Sequence, residues 1–290
     1  MTAADLLAPE TRMDTLTLHV GDLGLMSSYY ARALALEPLR EGDGEVVLGR
    51  GGSGVVRLVH TPGLPAPSRS QAGLFHTAML LPDPATLAAT VLAAAQDPRS
   101  RFVGSSDHHV SEAFYFTDPE GNGIELYRDR PREGWYGADG AIAMTTQHLD
   151  PQRYLDTHLE ERVVADVTAL PASVGHIHLQ VGDLATAERF YVDALGFEVT
   201  TRYPGALFVS AGGYHHHMAM NVWNSAGAPA RAATLGLGEV TITVPTREDV
   251  EAAADRLRHH GHEVADDGST LRVADPWGST VALTPAPDPA

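Results

Sequence analysis

Cysteine is absent from the 290 residues, which excludes disulfides, thiolate zinc sites, iron-sulfur clusters and a cysteine nucleophile. Any metal must be held by nitrogen and oxygen. Positive charge is scarce as well: 20 Lys plus Arg against 37 Asp plus Glu give a formal net charge of −17, a sign that repels nucleic-acid phosphates and anionic lipid headgroups. Long hydrophobic runs are missing. The longest, Leu87 to Ala95, is too short to span a bilayer, and Met1 to Arg12 has no basic region followed by an apolar stretch. These absences lead us to expect a cytoplasmic protein with neither nucleic acid nor membrane as a partner. Aromatic residues make up only 7% of the chain, so the sequence announces no clear stacking platform for a substrate.

What is present is a duplication. Hydrophobic residues form 43% of the chain, enough for one large core or two ordinary ones. Val20-Gly-Asp-Leu23 recurs as Val181-Gly-Asp-Leu184, an offset of 161, and Tyr30, Ala33, Leu34 and Glu37 match Tyr191, Ala194, Leu195 and Glu198 at that same offset. His176 falls on Thr15, so a coordinating side chain stands in only one of the two copies. Each copy divides again into a short alternating strand, an amphipathic helix and strand-like runs separated by glycine turns. The helices are expected near Leu25 to Leu36, Pro84 to Ala95 and Arg247 to His259. Asp118-Pro-Glu-Gly and Asp275-Pro-Trp-Gly are equivalent reversals into a last strand. Between the copies, from about Asp129 to Ser173, lies a stretch with little periodicity, long enough for a crossover.

These features resemble the vicinal oxygen chelate superfamily, which includes the glyoxalases, the fosfomycin and bleomycin resistance proteins and the extradiol dioxygenases. The segments Gly213-Tyr-His-His-His-Met-Ala-Met-Asn-Val-Trp223, Asp107-His-His-Val-Ser-Glu112 and Asp118-Pro-Glu-Gly-Asn-Gly-Ile-Glu-Leu-Tyr-Arg-Asp-Arg-Pro131 resemble CatE-type catechol 2,3-dioxygenases in particular. The resemblance implies an α+β fold of four βαβββ modules that form two open, cup-shaped mixed sheets with helices outside. Modules one and two would occupy residues 13–128, the crossover 129–173, and modules three and four 174–285.

The superfamily places metal ligands at the start of a module's first strand and in the middle of its last. In this chain those positions hold Thr15 and Arg57, His76 and Glu125, His176 and His217, then Glu239 and Ala282. Modules two and three carry the ligand types, so the resemblance implies a metal held by His76, Glu125 and His176. Two histidines and a carboxylate suit Fe(II), with Mn(II), Zn(II) or Ni(II) as other candidates. This set requires module two to pair with module three. Sequential pairing would split it and offer His176, His217 and Glu239 instead. His178 shares a strand face with His176 and is a neighbour or, if the register differs, the ligand itself.

Tyr115, ten residues before Glu125, matches a tyrosine that donates a hydrogen bond in related extradiol enzymes, and His108 is the matching acid-base candidate. His215 or His217 could take that proton-moving role. In His215-His-His217 the first and third side chains share one face and His216 the other. The implied activity is metal-dependent extradiol cleavage of a small aromatic diol by O2. A glyoxalase-like isomerase or lyase, and an antibiotic-binding protein without chemistry, are the alternatives. The edge strands of open cups fit a homodimer.

Overall fold

The computed structural model describes residues 6–138 and 140–287. Two mixed sheets of nine strands each carry the helices on their outer faces. The first module's strands are Leu16–Val20, Glu37–Gly42, Glu45–Arg50 and Ser53–His60. They share a sheet with the fourth module's Gly236–Val244, Val264–Asp266, Leu271–Ala274 and Thr280–Pro285. The second sheet joins Gly73–Leu80, Arg101–Asp107, Ser111–Thr117 and Gly123–Asp129 of module two to Ser173–Gln180, Glu198–Tyr203, Ala206–Ser210 and Met218–Asn221 of module three. At the centre of each sheet the first strands of two modules run antiparallel, Gly73–Leu80 beside Ser173–Gln180 and Leu16–Val20 beside Gly236–Val244.

Local signals start the helices where the chain must turn out of the sheet. Asp22 caps Leu23–Ala33 by accepting from Leu25 N at 2.9 Å. Asp83 caps Pro84–Gln96 in the same way, with Pro84 in the first turn, where its missing N–H costs nothing. Thr246 and Asp249 cap Arg247–His259 reciprocally. The first helix is three residues shorter at its end than the periodicity suggests, because Ala35 adopts a positive φ of 54° that ends helical geometry. The first strand likewise begins at Leu16, one residue after Thr15, whose N–H is taken by Asp14 Oδ1.

The stretch between the copies contains more order than its composition implies. Gln147–His148 adds a short strand to the edge of the second sheet, and helices form at Pro151–His158 and Glu161–Ala165. Asp150 caps the first of these, and Tyr154 on it is buried against Phe114, 5.1 Å between ring centroids.

The two Asp-Pro turns perform one job twice. Asp118 Oδ1 accepts from the backbone N–H of Glu120 and Asn122, and Oδ2 accepts from Tyr30 OH at 3.0 Å. Asp275 Oδ1 accepts from Trp277 and Ser279, and Oδ2 from Tyr191 OH at 3.1 Å. Tyr30 and Tyr191 are the matched tyrosines of the repeat. Modules one and two, and likewise modules three and four, are each divided between the two sheets and are clasped by a helix tyrosine that reaches the turn aspartate of the next module. Buried side chains from both sheets and the helices, among them Leu16, Phe114, Phe190 and Leu283, join in a single apolar cluster.

Candidate active site

Register across the second sheet assembles the site. Tyr115 pairs with Glu125, Glu125 with Ala78, and Ala78 with His176, so these four occupy one row across four strands and face the same side. The next row runs His76, His178, Ala219 and Phe208. Ala78 and Ala219 are the small members, and they leave room for the polar groups on either side. Gly175 provides a second clearance: a Cβ there would lie 1.7 Å from Tyr127 OH. Its absence lets the Tyr127 ring pack 4.9 Å from that of His176.

His76, Glu125 and His176 are buried, and each offers a ligand atom within 4.8 Å of the others. Among the described residues they are the one group of three such side chains. Glu125 Oε2 lies 2.9 Å from His76 Nε2 and 3.1 Å from His176 Nε2. The His176 contact is aligned as a hydrogen bond, whereas His76 Nε2 is buried with no aligned hydrogen-bond partner among the described residues. An orphaned imidazole nitrogen beside a buried carboxylate and a second imidazole fits a divalent cation, which would satisfy all three. Burial alone would raise the carboxyl pKa of Glu125, but the imidazoles of His176 and His76 hold it well below the usual carboxylate range. Burial lowers His176 and, more strongly, His178, so both rings are neutral at pH 7. Neutral imidazole is the form that binds a metal.

Tyr115 faces the same cavity. Burial, then the neighbouring Glu125 carboxylate, push its phenol well above the ordinary range, so it remains a hydroxyl. His108 Nδ1 lies 2.7 Å from Thr145 O, which can only accept, so Nδ1 carries the proton and donates. Nε2 of the neutral ring is then an acceptor, and the 2.8 Å contact with Tyr115 OH is a bond donated by the tyrosine. His108 is half-buried and connects Tyr115 to the rim.

The three consecutive histidines alternate as expected, but the member that faces the cavity is His216, not His215 or His217. His216 lines the cavity, with its ring centroid 4.0 Å from that of His176. His217 turns the other way: its Nδ1 accepts from Ser210 Oγ at 2.9 Å and from Ala211 N at 3.2 Å, and burial lowers its pKa to about 3. It also precedes Met218–Asn221, so it is not the third module's last-strand position. Glu125 pairs with Ala78, two residues beyond His76, and the residue paired two beyond His176 is Ala219. His215 is fully buried behind His216, where its Nδ1 lies 2.8 Å from His216 Nδ1 and its Nε2 lies 2.7 Å from Asp129 Oδ1. Neither His215 nor His217 reaches the cavity wall.

The cavity has a volume of about 410 Å³. Beyond the histidines, Glu125 and Tyr115, its walls include Phe75, Phe208, Tyr203, Trp223 and Met144. Sequence reasoning placed His178 beside His176, as the structure does; the entry of His216 and the aromatic wall are the parts it left out. The alternation of His176 and His178 on one strand was the signal available for His178; nothing in the sequence pointed to the wall. The equivalent surface of the first sheet holds Thr15, Arg57 and Glu239, with Glu239 Oε2 paired to Arg272 at 2.8 Å.

The chain matches the family model described as the glyoxalase/bleomycin resistance protein/dioxygenase superfamily over residues 12–126 and 173–283. It is 36% identical over 275 residues to a catechol-2,3-dioxygenase of Bacillus subtilis (strain 168), covering 92% of this chain and 94% of that protein. Two solved structures share the fold. A putative dioxygenase from Bacillus subtilis superposes with a TM-score of 0.64 at 13% identity, over 95% of this chain and 85% of that one. Glyoxalase I from Zea mays gives 0.58 at 16% identity, over 95% and 92%. With a family match spanning all four modules, the chain belongs to the glyoxalase/bleomycin resistance protein/dioxygenase superfamily.

Proposed function

We propose that this protein is a metal-dependent extradiol dioxygenase that opens the ring of a catechol-type aromatic diol with O2, with Fe(II) as its metal. The observation that carries the reading is the convergence of His76, Glu125 and His176 at a cavity whose next residue across the sheet is Tyr115. The 36% identical catechol-2,3-dioxygenase supports it. His76, Glu125 and His176 would hold the ion. When bound, the ion supplies a Lewis-acidic, redox-active centre that favours the ionised diol and couples it electronically to O2.

The remaining chemistry falls to the chain's own groups. Tyr115 already donates its proton to His108, so its oxygen lone pairs are free to accept a substrate hydroxyl. A proton taken up there can pass to His108 Nε2, at the half-buried edge of the site. His178 and His216, held neutral by burial, offer hydrogen-bonding groups without adding positive charge beside the metal. A glyoxalase-like isomerase usually draws on a second carboxylate as ligand and base, and Ala219 stands where that carboxylate would be.

The test is anaerobic purification and Fe(II) loading, then addition of catechol and air while oxygen uptake and visible absorbance are recorded. Stoichiometric oxygen consumption with a yellow ring-opened product is the expected result. Bound metal with no oxygen uptake across several catechols would overturn the proposal.

A further inference from the structure

We infer that the cavity selects diols with an uncharged, apolar ring substituent and that Trp223 is the residue that reads the substituent; this rests on the proposed dioxygenase site. An aromatic series leads from the triad to the mouth. The His76 ring lies 4.9 Å from that of His178, and His178 lies 5.6 Å from Trp223, which in turn lies 5.6 Å from Phe75. Phe208 stands 6.0 Å from His178 in the same wall. A diol anchored at His76, Glu125 and His176 therefore extends its far side along this surface, and 410 Å³ is more than a single ring with two oxygens fills.

Trp223 is 48% exposed yet firmly held. Its Nε1 donates to Pro204 O at 3.0 Å, and its backbone N–H donates to Asn221 Oδ1. The indole lies directly over Gly205, where a Cβ would sit 2.8 Å from Cδ1 and where φ is +76°. Glycine thus permits both the turn and the contact. A large apolar side chain left exposed and fixed in place at a cavity mouth is a surface prepared for a ligand, since the ordering cost is met before binding.

The walls also say what the substituent is not. The chain contains no lysine, and among the described residues no arginine lines the cavity. The charged side chain present is Glu125, at the opposite end from Trp223 in this series. A carboxylate on the substrate ring would be desolvated against Trp223, Phe208 and Tyr203 with no cation to pair with it.

Of the three tryptophans only Trp223 lines the cavity, so fluorescence quenching under anaerobic conditions that disappears in Trp223→Leu reports binding at Trp223. With Fe(II)-loaded protein, 4-tert-butylcatechol is expected to bind about tenfold or more tightly than catechol, and 3,4-dihydroxybenzoate more weakly than either. Calorimetry extends the comparison to variants. Trp223→Ala should shrink the butylcatechol-to-catechol affinity ratio, Trp223→Leu should preserve most of it, and Trp223→Arg should raise the relative affinity for dihydroxybenzoate. Equal affinities for catechol and butylcatechol, or tightest binding of dihydroxybenzoate, would overturn the inference. An intact affinity order without oxygen uptake would support it while removing the dioxygenase reading. Binding of none of these diols would remove both.

Discussion

The carboxylate of Glu125 and the imidazole of His176 meet at 3.1 Å although they come from different modules, 51 residues apart. Glu125 supplies the carboxylate that module three lacks, because Ala219 occupies the third module's carboxylate position. His76→Ala, Glu125→Ala and His176→Ala should therefore each abolish stoichiometric metal while circular dichroism shows an intact fold. Glu239→Ala should retain it, since Glu239 lies in the other sheet and is paired with Arg272. Metal analysis after dialysis decides the matter. Metal loss in Glu239→Ala with retention in His76→Ala would sink the proposed ligand set.

Tyr115 and His108 can be separated from the metal. Tyr115→Phe removes a hydroxyl without changing the ring that packs 5.6 Å from His76. Metal content should stay the same and turnover should fall by about 10²-fold, the lower end for loss of a positioned proton-transfer group. His108→Gln should slow turnover as well, but less, because Tyr115 would still donate to the amide oxygen. Single-turnover kinetics on metal-loaded protein would show it, and an unchanged rate for Tyr115→Phe would return that residue to a packing role.

The architecture was legible because the modules repeat. Val-Gly-Asp-Leu and Asp-Pro-x-Gly recur at equivalent places, and the family resemblance that they support implies the α+β fold with two mixed sheets that the structure shows. Once the resemblance says where in a module the ligands stand, positions such as His76 and Glu125 are found by counting along the repeat. The histidine run could not be resolved in that way. Alternation correctly sets His216 against its two neighbours, but it does not say which face is inside, and a one-residue difference in register exchanges the faces. The short strand Met218–Asn221 begins after His217, and the residue equivalent to Glu125 is Ala219; outside the strand its period does not set the inner face, and His216 enters the cavity while His217 packs against Ser210. Trp223 lies beyond that strand, where neither the period of a strand nor that of a helix specifies direction. The clasp of Tyr30 on Asp118 was equally hidden, since both residues are conspicuous in the sequence but their contact depends on how two sheets pack.

Asp129 acts on the cavity from behind. Its Oδ1 accepts from His215 Nε2, which leaves Nδ1 of a neutral His215 as the acceptor for His216 Nδ1–H. The lone pair of His216 is then on Nε2, the remaining nitrogen of a ring that lines the cavity. Asp129→Asn allows the amide to donate to His215 instead and reverses the whole chain of tautomers. Activity should fall by about 10-fold to 100-fold, as for other partners that orient groups beside a metal. Nitrogen-15 spectra of the diamagnetic Zn(II) form would show which ring nitrogen of His216 carries the proton. A proton on Nε2 in the unsubstituted protein would contradict the assignment.

Stability should decline on mild acidification, and His217 makes the sign explicit. Burial lowers its folded-state pKa to about 3, from an ordinary value of 6.5. Between those values the unfolded chain binds the proton and the folded chain does not. The stabilisation is fully present above pH 6.5 and is lost as the pH falls toward 3, at about 1.4 kcal/mol per pH unit. His176, His178 and His216 are shifted in the same direction by burial. Asp118 and Asp275 work oppositely: burial raises both, Asp118 to about 6, so their charge is a cost that is relieved as the pH falls. His19 and His262 are lowered by burial as well, and six histidines against two aspartates leave a net loss from pH 6.5 downward. Urea unfolding of metal-free protein at pH 7.5, 6.5 and 5.5 measures it. His217→Asn, which keeps an acceptor for Ser210 and Ala211, should reduce the stability lost between pH 7.5 and 5.5 by about 1.4 kcal/mol in total. An unchanged loss in that variant would mean that His217 is protonated in the folded state, at odds with its place between Ser210 and Ala211.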